Sequence, residues 1–179
     1  MSLTSSPRPL RTTTVAVVGP ESSGKTTISR ALADALGAPW VPEHARMYLG
    51  ATGGVYGEAD LLHIAQGQLL AEEHALACHP TYLVCDTDLV TILVWAREKY
   101  GRCDPRIERM ARRRTYAHRL LCAPDMPWEP DPLRESPHDR DRLFRVYADT
   151  LQELDVPYTV LRGSPEERLA AALACVHGR

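Results

Sequence analysis

Residues 19–26 read Gly19-Pro20-Glu21-Ser22-Ser23-Gly24-Lys25-Thr26, the pattern G-x-x-x-x-G-K-[ST]. That spacing suits a polyphosphate. The glycines let the backbone curl with its N–H groups turned inward, and a helix that follows adds the positive end of its dipole. Lys25 then reaches the β- and γ-phosphates of a nucleoside triphosphate, and the Thr26 hydroxyl ligates Mg²⁺. Glu21, Ser22, Ser23 and Thr27 complete the ATP-binding stretch around the two glycines, Gly19 and Gly24. Composition sets the lysine apart as well: the chain has 19 arginines and only two lysines, Lys25 and Lys99. A compact ammonium enters a tight loop where a planar guanidinium does not fit.

Carboxylates and arginines elsewhere supply the rest of a phosphoryl-transfer site. Asp86 closes the apolar run 81–85, where a carboxylate can hold Mg²⁺ opposite Thr26, directly or through water. The alternative for an aspartate at a strand end is a helix N-cap. Asp88 lies two residues on and faces the same way if the backbone stays extended. One of the two would serve the metal while the other orients or deprotonates an acceptor hydroxyl, and the sequence leaves open which does which. Glu43 and Arg46 follow a second strand whose C-terminal end opens on the same crevice. They read either as contacts to sugar hydroxyls and phosphate or as a surface ion pair one helical turn long. The stretch 124–145 holds Trp128, several acids and arginines, and five of the fourteen prolines within 124–137. It is expected to be a lid whose arginines neutralise a transferring phosphoryl group, or else a solvated loop. The arginines between 102 and 119 could attract anions or form a solvated helix face, and carry no catalytic assignment.

These residues need elements to position them. The run 13–18 is β-branched and apolar, a buried parallel strand, and residues 27–36 form a helix ended by Gly37 and Pro39. A second strand is expected at 38–41, a glycine-rich loop at 50–57 and a helix from 58 to about 78. Strands at 81–85, 120–123 and 158–161 alternate with helices at 89–99, 107–114 and 140–154. Ser164-Pro165-Glu166-Glu167 is a capping box with proline in the first turn, opening a last helix that runs to 176. About five strands alternating with helices predict an α/β fold, a parallel sheet covered on both faces.

At 179 residues the chain fits one domain, 13–179, behind a frayed tail at 1–12. A net charge of −2 gives no case for nucleic acid as a partner, and no apolar run reaches membrane-spanning length. The five cysteines form no C-x-x-C, the seven histidines show no metal spacing, and the N-terminus lacks a signal peptide. A cytoplasmic protein with reduced thiols and a small-molecule substrate is expected.

In order and spacing these pieces resemble the ribosylnicotinamide kinase domain of the NadR-type NAD-biosynthesis proteins. The resemblance runs through the phosphate loop with Thr27, Trp40 to Arg46, and Cys85-Asp86-Thr87-Asp88 with Thr91, Trp95, Tyr100 and Gly101. It continues in Pro124-Asp125-Met126-Pro127-Trp128, Asp131-Pro132-Leu133-Arg134, Arg140, Phe144, and Arg162-Gly163-Ser164 with Arg168. It implies a P-loop kinase that moves the ATP γ-phosphoryl group to the 5′-hydroxyl of nicotinamide riboside, giving nicotinamide mononucleotide. By the same resemblance, Trp128 stacks on the pyridinium ring, and Glu43, Arg46, Asp88 and Asp131 lie on the acceptor side. Arg134 and Arg140 become lid arginines at the phosphates, and Arg162 and Gly163 lie by adenine. Pro132 departs from the family's usual glycine and Ala117 from a common aspartate. The length implies a kinase without the adenylyltransferase or DNA-binding modules of longer relatives. Two alternatives stay open: a kinase of another nucleoside or small hydroxyl compound, and a nucleotide-binding regulator with no acceptor chemistry.

Overall fold

β1, Thr13–Val18, is apolar on both of its faces because both are covered. Val15 and Val17 pack with Ile28, Leu32, Ala172 and Val176, whereas Ala16 and Val18 meet Leu83, Cys85, Leu121 and Tyr147 on the other side. The computed structural model describes residues 11–128 and 139–178. After β1 come α1 (Lys25–Leu36), β2 (Trp40–Val41), α2 (His44–Ala51), α3 (Glu58–Leu76), β3 (Tyr82–Asp86) and α4 (Leu89–Tyr100). Then follow α5 (Pro105–Arg113), β4 (His118–Cys122), α6 (Arg140–Glu153), β5 (Thr159–Leu161) and α7 (Pro165–Val176).

The five strands pair in parallel in the order β2-β3-β1-β4-β5. Parallel neighbours need crossovers, and the helices that make them cover the two faces. The register aligns Val17 with Asp86 on one side and with Leu120 on the other. The turns that leave β1, β3 and β4 therefore emerge side by side at one edge of the sheet. No helix among the described residues is long and apolar enough to cross a membrane.

Element boundaries differ from expectation in instructive places. Residues 44–51 form a helix, α2, where the sequence shows no start signal: its N-cap, Glu43, makes no side-chain cap bond. β2 is two residues long rather than four. β4 begins at His118, because Arg119 is 4% exposed inside the sheet and paired with Asp88, so its charge disguises a strand. The Ser164–Glu167 capping box forms as expected, with the Ser164 hydroxyl accepting from the Glu167 amide at 3.3 Å.

Candidate active site

The loop between β1 and α1 needs both glycines for steric reasons. Gly19 has φ 141°, and a Cβ there would lie 2.7 Å from the Cys122 carbonyl oxygen at the end of β4. Gly24 caps α1 at φ 80°, with Met126 Sδ 2.8 Å from where its Cβ would be. Ser22 is left-handed too, at φ 51°. Such alternation forms a concave nest of backbone N–H groups. Lys25 Nζ and the Ser23 hydroxyl both donate to the Pro20 carbonyl, at 2.9 and 2.8 Å, bracing the loop from inside.

Two clefts meet over this loop. The smaller, about 70 Å³, lies on Ser23, Gly24, Thr26 and Thr27 with Met126 and Pro127. The larger, about 360 Å³, runs between α2, α4 and α6, with Leu49, Thr91, Val94, Trp95, Leu143 and Tyr147 among its walls. Ser22, Lys25, Glu43 and Arg46 line both. A donor in the first cleft and an acceptor in the second would meet at those four side chains.

Asp86 ends β3 beside Thr26. Burial pushes its carboxyl above the ordinary carboxylate range, against the Thr26 hydroxyl bond and the Lys25 charge. Its Oδ1 is buried and has no hydrogen-bond partner among the described residues. An oxygen in that condition, next to a threonine hydroxyl, fits a divalent cation, so Thr26 and Asp86 suit Mg²⁺. Glu43, the residue before α2, is pushed up chiefly by burial, opposed by Lys25, and raised further by Asp86. Arg46 pairs with it at 3.4 Å.

Asp88 lies elsewhere. The condition for it to share a direction with Asp86 was an extended backbone, and Thr87 between them has φ 107°. The Asp88 carboxylate turns into the protein, where Oδ1 accepts from the Val90 amide at 2.8 Å and Oδ2 from Arg119 Nε at 2.9 Å. It is the N-cap of α4, the use weighed for Asp86, and it lines neither cleft.

Arg140, at the start of α6, donates Nη1 to the Ser22 carbonyl at 3.0 Å and to the Met126 carbonyl at 2.8 Å. Its guanidinium lies 5.7 Å from the Trp128 ring centroid. Trp128 is thus packed on Arg140 at the start of α6 rather than in the wall of the larger cleft. Arg162 rests on Phe144 at 5.4 Å, and the Gly163 amide donates to Asp125 at 3.0 Å. Asp131, Pro132 and Arg134 lie outside the described residues.

Some lining residues have no role assigned from the sequence: Val94 and Glu98 are unmentioned there, and Thr91 and Trp95 only carry the resemblance. Trp95 has its indole N–H on the Tyr56 hydroxyl at 2.8 Å, and Glu98 closes the rim through Arg142 at 2.5 Å. Thr91, Val94, Trp95 and Glu98 repeat at i, i+3, i+4 and i+7, a stripe legible as one helix face but not as a cleft wall. Arg168, 1% exposed on α7, contacts the loop directly; in the sequence it is one of the residues carrying the resemblance, with no role attached to it.

Strand order, phosphate loop and paired clefts define a P-loop kinase, the fold of ATP-dependent phosphotransferases. The chain belongs to the AAA domain family, whose profile matches residues 14–168. It is 27% identical over 175 residues to the trifunctional NAD biosynthesis/regulator protein NadR of Escherichia coli (strain K12). That match covers 94% of this chain and 42% of the relative, so the chain spans less than half of the relative's length. A crystal structure of NadR in complex with NR shares the fold with a TM-score of 0.79 at 22% identity, over 94% of this chain and 50% of that one. A NadR structure in complex with NAD and AMP-PNP gives 0.78 at 22% identity, over 94% and 49%.

Proposed function

We propose that this chain transfers the γ-phosphoryl group of ATP to the 5′-hydroxyl of a nucleoside, with nicotinamide riboside as the acceptor. The observation that carries the transfer is the junction of the two clefts at Ser22, Lys25, Glu43 and Arg46. A nucleotide-binding regulator has no use for a second cleft opening on the phosphate loop. The acceptor is supported by the names of the relatives, an NAD biosynthesis protein and a NadR complex with NR.

In this reading the loop amides and Lys25 hold the β- and γ-phosphates, and Lys25 follows the charge that develops between them. Thr26 and Asp86 hold Mg²⁺, which would supply further neutralisation of that charge. Glu43 is placed to accept a hydrogen bond from the acceptor hydroxyl and to take its proton, a task that suits a carboxylate whose pKa burial has raised. Asp88 keeps a supporting part, fixing the start of α4. Arg46 and Arg140 stabilise the transferring group, and the resemblance assigns Arg134 to the same task. Trp95 and Tyr147 offer the aromatic surfaces for the acceptor base, and Trp128 and Asp131 are assigned to the acceptor side by the resemblance alone. Arg162 and Gly163 border the adenine. The test is a panel of nucleosides offered with ATP and Mg²⁺, reading ADP release. Release that requires nicotinamide riboside supports the proposal; release indifferent to any acceptor refutes it.

A further inference from the structure

Arg168 is among the largest fully buried side chains, yet it belongs to α7 and not to the loop it serves. Its donors go mainly to backbone. Nη1 donates to the Ser23 carbonyl at 2.6 Å, Nη2 to the Ala123 carbonyl at 2.9 Å and Nε to the Gly163 carbonyl at 3.0 Å. Nη2 also pairs with Asp125, whose other oxygen accepts from the Gly163 amide. Asp125 remains about one-third exposed, 34%, so the pair is not a sealed core ion pair. Fold stability alone does not call for this arrangement, since apolar side chains fill buried space without the cost of desolvating a charge.

The contact with Ser23 has a directional consequence. No cis peptide bond occurs among the described residues, and in a trans peptide the C=O and the next N–H point opposite ways. A guanidinium that draws the Ser23 oxygen inward therefore turns the Gly24 N–H outward, toward the smaller cleft that Gly24 lines. Arg140 acts in the same sense one peptide earlier, through the Ser22 carbonyl. Arg168 stands 3.6 Å from where a Gly24 Cβ would be, so the two groups are in immediate register.

We propose that Arg168 is a positioning residue that aims the Gly24 amide at the β-phosphate of the bound nucleotide, with Asp125 holding the guanidinium against the Gly163 loop. The proposal rests on the reading of the loop as a nucleotide site. The test measures ADP and AMP binding by calorimetry, without acceptor, for wild type, Arg168→Lys and Asp125→Asn. A lysine cannot fork to three carbonyls. Arg168→Lys should weaken ADP about ten-fold, the worth of one misaligned anion-binding amide, and leave AMP, which has no β-phosphate, within about two-fold. Asp125→Asn should weaken ADP about three-fold, again sparing AMP, because the guanidinium stays but loses a charge-assisted partner. Equal losses on both ligands, or no loss in either variant, overturn the proposal. If Arg168→Lys does not fold by circular dichroism, Asp125→Asn decides alone. A wild type that binds neither ligand refutes the nucleotide reading itself, a result separate from the failure of the clamp.

Discussion

Glu43 and Asp88 are both carboxylates taken out of water, and their surroundings give them opposite uses. Asp88 has an arginine and an amide on its two oxygens, whereas Glu43 lies where the clefts join. Glu43→Gln should lower kcat by about 10²–10⁴-fold, the usual worth of a positioned base. A base must be ionised to act, and burial raises this one, so the acid limb of the wild-type pH–rate profile should sit above the ordinary carboxylate range. Recording the profile for both proteins checks this, because the limb should vanish in Glu43→Gln. Asp88→Ala should instead unfold the protein more readily, by roughly 3–5 kcal/mol in denaturant melts, since it leaves Arg119 buried without its carboxylate. Lys25→Ala should cost several orders of magnitude in rate while the melt stays unchanged, because its ammonium acts on charge developing between phosphates. Lys25→Arg should fail as well, since bulk is the obstacle.

At the scale of elements, the larger cleft, where we propose the acceptor binds, is made by one face of α4 opposite α6. The Trp95 indole is fixed edge-on by Tyr56 at 4.7 Å between ring centroids, so it presents a rigid aromatic surface. If the acceptor carries a cationic ring, Trp95→Ala should weaken acceptor binding by roughly 1–2 kcal/mol and leave ATP affinity alone. Trp128→Ala should act through Arg140 and appear mainly in kcat. Measuring KM for both substrates in the two variants separates these roles, and the reverse pattern would return the ring to Trp128. The sequence made some elements plain and hid others. β1, α1 and α7 were legible because glycine, proline and the Ser164–Glu167 box punctuate them. α2 was not, because Glu43 caps it without a side-chain bond and Pro42 precedes it at once. The pairing of Arg119 with Asp88 made a strand look polar, and the turn at Thr87 that carries Asp88 away from both clefts left no mark in the sequence.

For the molecule as a whole, the parallel sheet places the turns after β1 and β3 on one edge, which is why Thr26 and Asp86 come together across sixty residues of chain. That convergence was legible, since a glycine loop and an aspartate at two strand ends imply it. The acceptor side was not. It depends on how α2, α4 and α6 tilt around a cleft, and helix packing of that kind leaves no short motif. The two clefts also predict separable binding. ADP should bind without acceptor, and breaking the rim pair by charge reversal at Glu98, which pairs with Arg142, should alter KM for the acceptor by several-fold with little change for ADP. Titrating each ligand alone against Glu98→Lys tests this, and a change confined to ADP would count against two distinct sites.

The contact between Arg168 and the Ser23 carbonyl spans 145 positions of chain. A ribosome adds about 5–20 residues per second, so the loop waits roughly 7–30 s between its own synthesis and that of its clamp. For about the first two-thirds of that interval β1 also lacks β4, since Val15 pairs with His118. The nascent chain therefore carries every residue of the nucleotide motif long before the proposed clamp on it exists. Stalled chains that end before α7 should bind ADP at least about ten-fold more weakly than the whole chain, even though the whole phosphate loop has emerged.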